Sequence, residues 1–341
     1  MLKAGLIGIG FMGRGHLDQY IRLASEGADV TLAAICDVDD KKFRGEFAPG
    51  NIDVGGAEYD FTPYRLYSDY NVMFEKEDLD YADIALPTYL HAEASCAAMR
   101  AGLHVLCEKP MALDPEQCAQ MIRVSRETGK TLMVGQCLRF WPAYEHLKAC
   151  VEDERYGAPV CGYFWRGGDT PAWSFENWLR DEGRSGGCIL DQHVHDVDTI
   201  HWLFGPPEAV STLGRNVLPG AGLDAVSTHY HYPNFIVNAQ DDWSMNGEVP
   251  FTMTFRVSFE RGSLHFDGSG LRVAPVGADA FDADLSPDTG YYREIKYFTN
   301  ALQTGSPIDR VTPESTRATI CIATAERESA KKNGEWTKIV I

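Results

Sequence analysis

The chain has 341 residues, 44% hydrophobic and 23% charged, with 31 basic against 49 acidic side chains for a formal charge of -18 at pH 7. Its length fits roughly two domains with a core large enough to need no staples, and its acidic balance argues against nucleic acid as a partner. No apolar run approaches the roughly 20 residues that cross a bilayer, so no membrane span is expected.

In chain order, residues 4–9 read as a buried strand, 12–25 as a helix and 30–36 as a second strand. Residues 39–77 are less regular and are expected to decorate one edge. A strand at 81–86, a helix at 90–101, a strand at 105–107, a helix at 115–128 and a strand at 131–134 continue the alternation. Strands separated by helices imply a parallel sheet covered on both faces. After Gly135 the pattern changes. Aromatic and polar loops at 163–178 precede a helix at 190–204, and strand-like runs recur at 209–213, 226–232, 235–239, 251–259 and 263–266. Turn signals such as Pro233-Asn234 and Glu260-Arg261-Gly262 separate several of them, which predicts an α+β domain on a large, open, predominantly antiparallel sheet. A helix at 313–333 and a strand at 337–341 close the sequence.

The start, Met1-Leu2-Lys3-Ala4-Gly5, lacks the pattern of a secretory leader. The nine cysteines are odd in number, dispersed and without a Cys-x-x-Cys pair. Reduced thiols in a cytoplasm are the expectation, not a disulfide framework or structural zinc.

Gly8-x-Gly10-x-x-Gly13 follows the first strand and opens the first helix, as a dinucleotide site requires. Gly8 would permit the tight turn, Gly10 the approach of pyrophosphate, and Gly13 close helix-strand packing. Asp37, at the end of the next strand, is placed to bind the adenosine ribose hydroxyls. Its charge would repel a 2'-phosphate, and Val38 after it offers no compensating charge, so NAD is expected over NADP. His16 would either touch the pyrophosphate or face solvent.

Two further regions suggest chemistry. Glu108-Lys109-Pro110 follows an apolar strand at the end where ligands gather in parallel sheets, and Lys109 could stabilise alkoxide character on a reacting hydroxyl. In Asp191-Gln192-His193-Val194-His195-Asp196-Val197-Asp198, helical spacing puts Asp191, His195 and Asp198 on one face. His195 is then the general base, Asp191 a group that orients substrate or imidazole, and Asp198 its support. A capped helix whose histidine bonds a local carbonyl is the structural alternative. Asp191, His193 and His195 could also be read as metal ligands, but His193 points about 160 degrees away from Asp191 in a regular helix and hydride transfer needs no metal, so none is expected. For His229 and His231, core, interface and ligand roles stay open.

With these motifs the chain resembles the glucose-fructose oxidoreductase/inositol dehydrogenase/MocA (Gfo/Idh/MocA) family. The resemblance rests on Gly8-Ile9-Gly10-Phe11-Met12-Gly13, Leu86-Pro87-Thr88-Tyr89-Leu90-His91, Cys107-Glu108-Lys109-Pro110, residues 186–198 and the region from Gly305-Ser306-Pro307 onward. It implies a Rossmann domain over 1–124 and a substrate and oligomerisation domain over 125–341, with the final helix packing back on the first. It further implies Lys109, Asp191 and His195 as catalytic lysine, substrate-positioning aspartate and proton-transferring histidine. Pro87, Thr88, His91, Glu108 and Lys109 would line the dinucleotide cleft with Gly8, Gly10, Phe11, Met12, Gly13 and Asp37. A homodimer or homotetramer is implied through sheet faces. Gln136, Arg139, Tyr163 and Trp178 are candidate substrate contacts, as are Trp173, Asn177, Arg180 and 241–243, although such aromatic groups also fill subunit interfaces. The expected activity is NAD-dependent oxidation of a secondary hydroxyl on a sugar, sugar derivative or cyclitol. The alternatives are glycoside cleavage through transient oxidation with NAD retained, and a non-catalytic nucleotide-binding protein with a regulatory or assembly role.

Overall fold

The computed structural model describes residues 1–47, 59–247 and 249–341, so residues 48–58 of the expected irregular edge lie outside the described residues. The chain divides into two compact units: residues 1–136, 172–178 and 291–317, and residues 137–171, 179–290 and 318–341.

The first unit alternates β1 (Leu2–Ile7), α1 (Phe11–Ser25), β2 (Val30–Cys36), β3 (Arg65–Tyr67), α2 (Tyr70–Lys76), β4 (Tyr81–Ile84), α3 (His91–Arg100), β5 (His104–Glu108), α4 (Pro115–Thr128) and β6 (Leu132–Gly135). The strands form one parallel sheet in the order β3-β2-β1-β4-β5-β6. Helices cover both faces, so β4 and β6 are buried at every position and show no alternation. The order reverses between β1 and β4, and the crevice beyond the carboxyl ends of such strands is where ligands bind in this architecture. The clearest local start and stop signals are those of α4. In α4, Asp114 accepts from the backbone N–H groups of Glu116 and Gln117, Pro115 opens the first turn, and Gly129 closes the helix at φ 67°. The boundary at 124 is corrected by β6, which pairs with β5 from Val105↔Leu132 to Glu108↔Gly135 and belongs to the first sheet.

The second unit contains α5 (Pro142–Glu152), β7 (Pro159–Asp169), α6 (Glu182–Ser185) and α7 (Val194–Phe204), the last preceded by a π-helical turn at Ile189–His193. Its strands continue as β8 (Ala209–Arg215), β9 (Ala225–His231), β10 (Ile236–Met245), β11 (Thr252–Phe259), β12 (Gly262–Phe266), β13 (Leu271–Pro275), β14 (Phe281–Asp282) and β15 (Thr337–Lys338). The nine strands run β14-β13-β12-β11-β7-β10-β9-β8-β15, with a single parallel join between β7 and β10. Period-two alternation separates the faces: on β7, Phe164 and Arg166 are buried while Tyr163 and Trp165 stay half-exposed. The buried face packs against α5, where Tyr144 meets Phe255 and Phe266 at ring centroids of 5.0 and 5.8 Å.

Two helices return late in the chain. The first, α8 (Gly290–Thr304), was not expected from the sequence, although apolar Tyr292, Ile295, Phe298 and Leu302 recur at helical spacing. From residue 291 it belongs to the first unit, where Phe298 meets Tyr81 edge-on at 5.3 Å and Tyr292 donates to Glu26. The second, α9 (Pro313–Lys331), begins in the first unit and continues in the second. Among the described residues no helix is long and apolar enough to cross a membrane.

Candidate active site

The glycine turn has the shape that its spacing predicts. Gly8 lies at φ 88°, where a Cβ would also come within 2.6 Å of Ala85 O. At Gly13 a Cβ would fall 1.9 Å from Gly8 O, so helix and strand touch backbone to backbone. In front of Gly10 nothing lies within 4 Å, leaving the approach to the backbone open. Gly10 caps α1 without a side-chain hydrogen bond and the first turn carries no acidic residue, so the N–H groups there suit a pyrophosphate. Phe11 packs near Trp173, with ring centroids 6.2 Å apart.

Asp37 is nearly buried and its carboxylate is held by two backbone donors, Ile9 N at 2.8 Å and Asp39 N at 2.9 Å. Lys42 Nζ also donates to both oxygens, at 3.0 and 2.8 Å. This cation was missed in the sequence. The turn between Asp37 and Lys42 brings back, five residues on, a charge that Val38 does not supply.

Pro87, Thr88 and His91 follow β4. Thr88 Oγ1, and Gln136 Nε2 just after β6, are buried without a hydrogen-bond partner in the described structure, leaving polar capacity at the ligand end of the sheet. His91 is buried, with its ring nitrogens 2.7 Å from Pro110 O and Leu86 O; burial lowers its pKa against the pull of those carbonyls. Lys109 is half-buried at the end of β5, before a cis peptide bond to Pro110, and its backbone N–H donates to Glu108 Oε2 at 2.9 Å.

His16 neither reaches toward solvent nor serves as a free pyrophosphate donor. It is fully buried, with Nδ1 2.9 Å from both Asp83 oxygens and Nε2 3.0 Å from Glu108 Oε1. Burial alone would lower its pKa, but the two carboxylates outweigh burial and hold it well above the ordinary value, so the imidazolium donates from both nitrogens. Glu108, expected on the cofactor cleft, is 3% exposed and is spent on His16 and the Lys109 N–H. Glu294 of α8 completes the cluster. Its carboxyl is buried without a hydrogen-bond partner among the described residues, which raises its pKa well above the usual range. His16, Glu108 and Glu294 have ligand atoms within 4.8 Å of one another. With both His16 nitrogens committed to carboxylates, we read the group as a buried charge network.

In the second unit the run from Asp191 to Asp198 sorts by environment. Asp191, Gln192 and His195 are half-exposed, while His193, Asp196 and Asp198 are buried. Asp196 pairs with Arg166, at 3.1 and 3.3 Å. Asp198 forms a two-point pair with Arg139 at 2.8 and 2.7 Å and accepts from Thr319 Oγ1 at 2.8 Å. Asp191 and His195 thus stay half-exposed, whereas Asp198 is buried against Arg139 and Thr319. Helix α7 is buried nearly all round, and a carboxylate there needs a partner.

His193 lies in a π-helical turn, to which the regular-helix angle does not apply. Its Nδ1 is 3.0 Å from Asp241 and its Nε2 3.5 Å from Glu326. Burial lowers its pKa, but Glu326 and Asp241 prevail and raise it to about 10. Asp241 is itself pushed up to about 6, because desolvation outweighs the pull of His193. The second carboxylate, Glu326, therefore matters to the compensation of the imidazolium.

Other candidate contacts divide. Arg139 is 2% exposed and its guanidinium is engaged by Asp198; removing it would strand a buried carboxylate at a cost of about 3–5 kcal/mol. Tyr163 lies on the opposite sheet face from buried Arg166 and Asp241 and donates to Gln240 at 3.2 Å, so strand alternation separates it from Asp191 and His195. Asp241 and Trp243 are buried, the indole donating to Asp224 at 2.6 Å. Trp178 is half-buried in the short 172–178 segment of the first unit, next to Glu176 and Asn177 at φ 50° and 54°. His229 and His231 are exposed on β9, where His231 pairs with Glu208 at 3.2 Å.

Comparison with known proteins supplies the family. Residues 2–136 match the model of an oxidoreductase family with an NAD-binding Rossmann fold, and residues 144–265 match the GFO/IDH/MocA C-terminal domain. The chain belongs to the Gfo/Idh/MocA oxidoreductase family. NAD is the cofactor of its Rossmann fold, and the open approach at Gly10 with the carboxylate of Asp37 fits that dinucleotide. Gfo/Idh/MocA relatives include inositol 2-dehydrogenase of Salmonella typhimurium, 28% identical over 210 residues, 60% of this chain and 54% of that protein. D-apiose dehydrogenase of Paraburkholderia graminis is 29% identical over 203 residues, 60% of this chain and 50% of that one. The chain thus spans about half the length of these curated relatives. Levoglucosan dehydrogenase, solved with NADH and levoglucosan, shares the fold with a TM-score of 0.84 at 22% identity, covering 100% of both chains.

Proposed function

We propose that this protein interconverts a secondary alcohol and a ketone on a sugar, sugar derivative or cyclitol, using Lys109, Asp191 and His195. The observation that carries this reading is the sorting of the 191–198 run. Its neighbours His193, Asp196 and Asp198 are committed to buried partners, whereas Asp191 and His195, four residues apart, keep half-exposed side chains. The names of relatives that act on inositol and apiose support a polyhydroxylated substrate.

In this reading Lys109 hydrogen-bonds the reacting oxygen and stabilises its negative character, His195 takes the hydroxyl proton, and Asp191 holds a neighbouring hydroxyl. Bound NAD supplies the hydride acceptor. Gln136 and Trp178 remain proposed substrate contacts, while Arg139 is assigned to holding Asp198. The nine cysteines are free and all but Cys161 buried, which supports a reducing, cytoplasmic setting.

The test is turnover of a panel of cyclitols, aldoses and ketosugars with NAD or NADH. Lys109→Met and His195→Asn are expected to lower kcat by about 10²–10⁴-fold, and Asp191→Asn to act mainly on KM. Unaltered turnover in both Lys109→Met and His195→Asn would remove the mechanism. A second reading is favoured by relatives named 2,7-anhydro-N-acetylneuraminate hydratase, in Mediterraneibacter gnavus at 27% identity and Escherichia coli at 30%. There oxidation would be transient, and substrate would be consumed with no net change in NADH.

A further inference from the structure

The acceptor positions of Asp37 are already filled. Ile9 N donates to Oδ2 at 2.8 Å, Asp39 N to Oδ1 at 2.9 Å, and the Lys42 ammonium to both oxygens at 3.0 and 2.8 Å. The two backbone donors belong to the turns after β1 and β2 and fix the carboxylate in place. Lys42 is the donor on a flexible stem, carried by a short helical turn at Lys42–Arg44, with its ammonium 5.3 Å from the centre of the Phe175 ring. Its side chain is only 14% exposed, so this cation is held in the site and is not a freely solvated surface charge.

A ribose diol that reaches Asp37 must share the carboxylate with Lys42 or displace it. The same geometry alters the treatment of a phosphate on the 2' oxygen. An uncompensated carboxylate rejects that group by like-charge repulsion. A carboxylate paired with an ammonium repels it far less, and the ammonium, once turned away, is a charge-assisted donor to phosphate oxygens.

We infer that the adenosine end of this site takes a 2'-phosphorylated dinucleotide, NADP, as well as NAD, with Lys42 turning from Asp37 to the 2'-phosphate. Lys42 is then the residue that sets cofactor choice. With NAD it stays beside the carboxylate; with NADP it leaves Asp37 to its two backbone donors and neutralises the added charge. No covalent bond to either nucleotide is made or broken in this exchange.

Calorimetric dissociation constants of the full chain for NAD, NADP, 5'-AMP and 2',5'-ADP test the inference, in the wild type, Lys42→Met and Lys42→Arg. Melting curves check that each variant is folded. The wild type is expected to bind NADP within about a hundredfold of NAD. Lys42→Met should weaken NADP and 2',5'-ADP by about tenfold or more, leave NAD and 5'-AMP unchanged or tighter, and be rescued by Lys42→Arg. A larger wild-type preference for NAD, a smaller effect of Lys42→Met, or an equal loss for both dinucleotides overturns the inference. A chain that binds neither dinucleotide overturns it together with the NAD site. One that binds both but turns over no substrate supports it and removes only the catalytic reading.

Discussion

Two glycines in one turn can fail for opposite reasons, and Gly10 and Gly13 separate them. A methyl on Gly13 meets the carbonyl of Gly8, backbone against backbone, and no side chain can swing aside. Gly13→Ala is expected to lower stability by about 2 kcal/mol or more, seen as a fall in Tm, with NAD binding lost alongside. A methyl on Gly10 meets nothing within 4 Å of the protein itself. Gly10→Ala should therefore melt near the wild type yet weaken NAD by about tenfold or more, because the methyl stands where pyrophosphate approaches. Equal NAD affinity in Gly10→Ala and the wild type would contradict this placement of the pyrophosphate.

At the scale of elements, the π-helical turn and α7 carry the proposed chemistry on a segment whose other polar groups are pinned from behind. His193 is the pin most sensitive to pH. Its folded pKa is raised to about 10 from an ordinary value near 6.5, so its contribution to stability is complete below about 6.5 and is lost as pH rises toward 10. The Tm advantage of the wild type over His193→Gln should shrink steadily between pH 7 and pH 10; a constant gap would show that the imidazolium is not what binds this turn. This turn also marks where sequence stopped being sufficient. Period and glycine spacing made β1, α1, β2 and the cofactor turn legible, since each is decided by residues close in the chain. Helical spacing likewise selected Asp191 and His195. Spacing could not reveal that Asp198 faces Arg139, that Asp241 reaches His193, or that Glu294 approaches His16, because those partners lie 48 to 278 residues apart. Alternation along β7 was available to exclude Tyr163, but the strand's register against β10 was not.

For the whole molecule, alternation along the nine-stranded sheet turns one set of side chains outward, and large apolar groups stand among them: Leu213 is 61% and Ile236 64% exposed. A homodimer or homotetramer formed through that face would cover them. Introducing Leu213→Glu together with Ile236→Glu is expected to reduce the mass measured by light scattering toward that of a single chain, while leaving the buried face intact. A wild type that is already monomeric, or an unchanged oligomer in the double variant, would remove this face from the assembly.

The division of the first unit among three stretches of chain also has a consequence during synthesis. Its parallel sheet is complete once residue 135 has been made, but the α8 residues that pack on Tyr81 and Glu26 come only after residue 290. Between those moments the ribosome extends the chain by more than 150 residues, on the order of 10 seconds at ordinary elongation rates. Throughout that interval Tyr81 has its early partner Tyr20 but lacks the edge-on ring of Phe298, and Glu26 lacks the hydroxyl of Tyr292, so these two contacts of the first unit can form only late in synthesis.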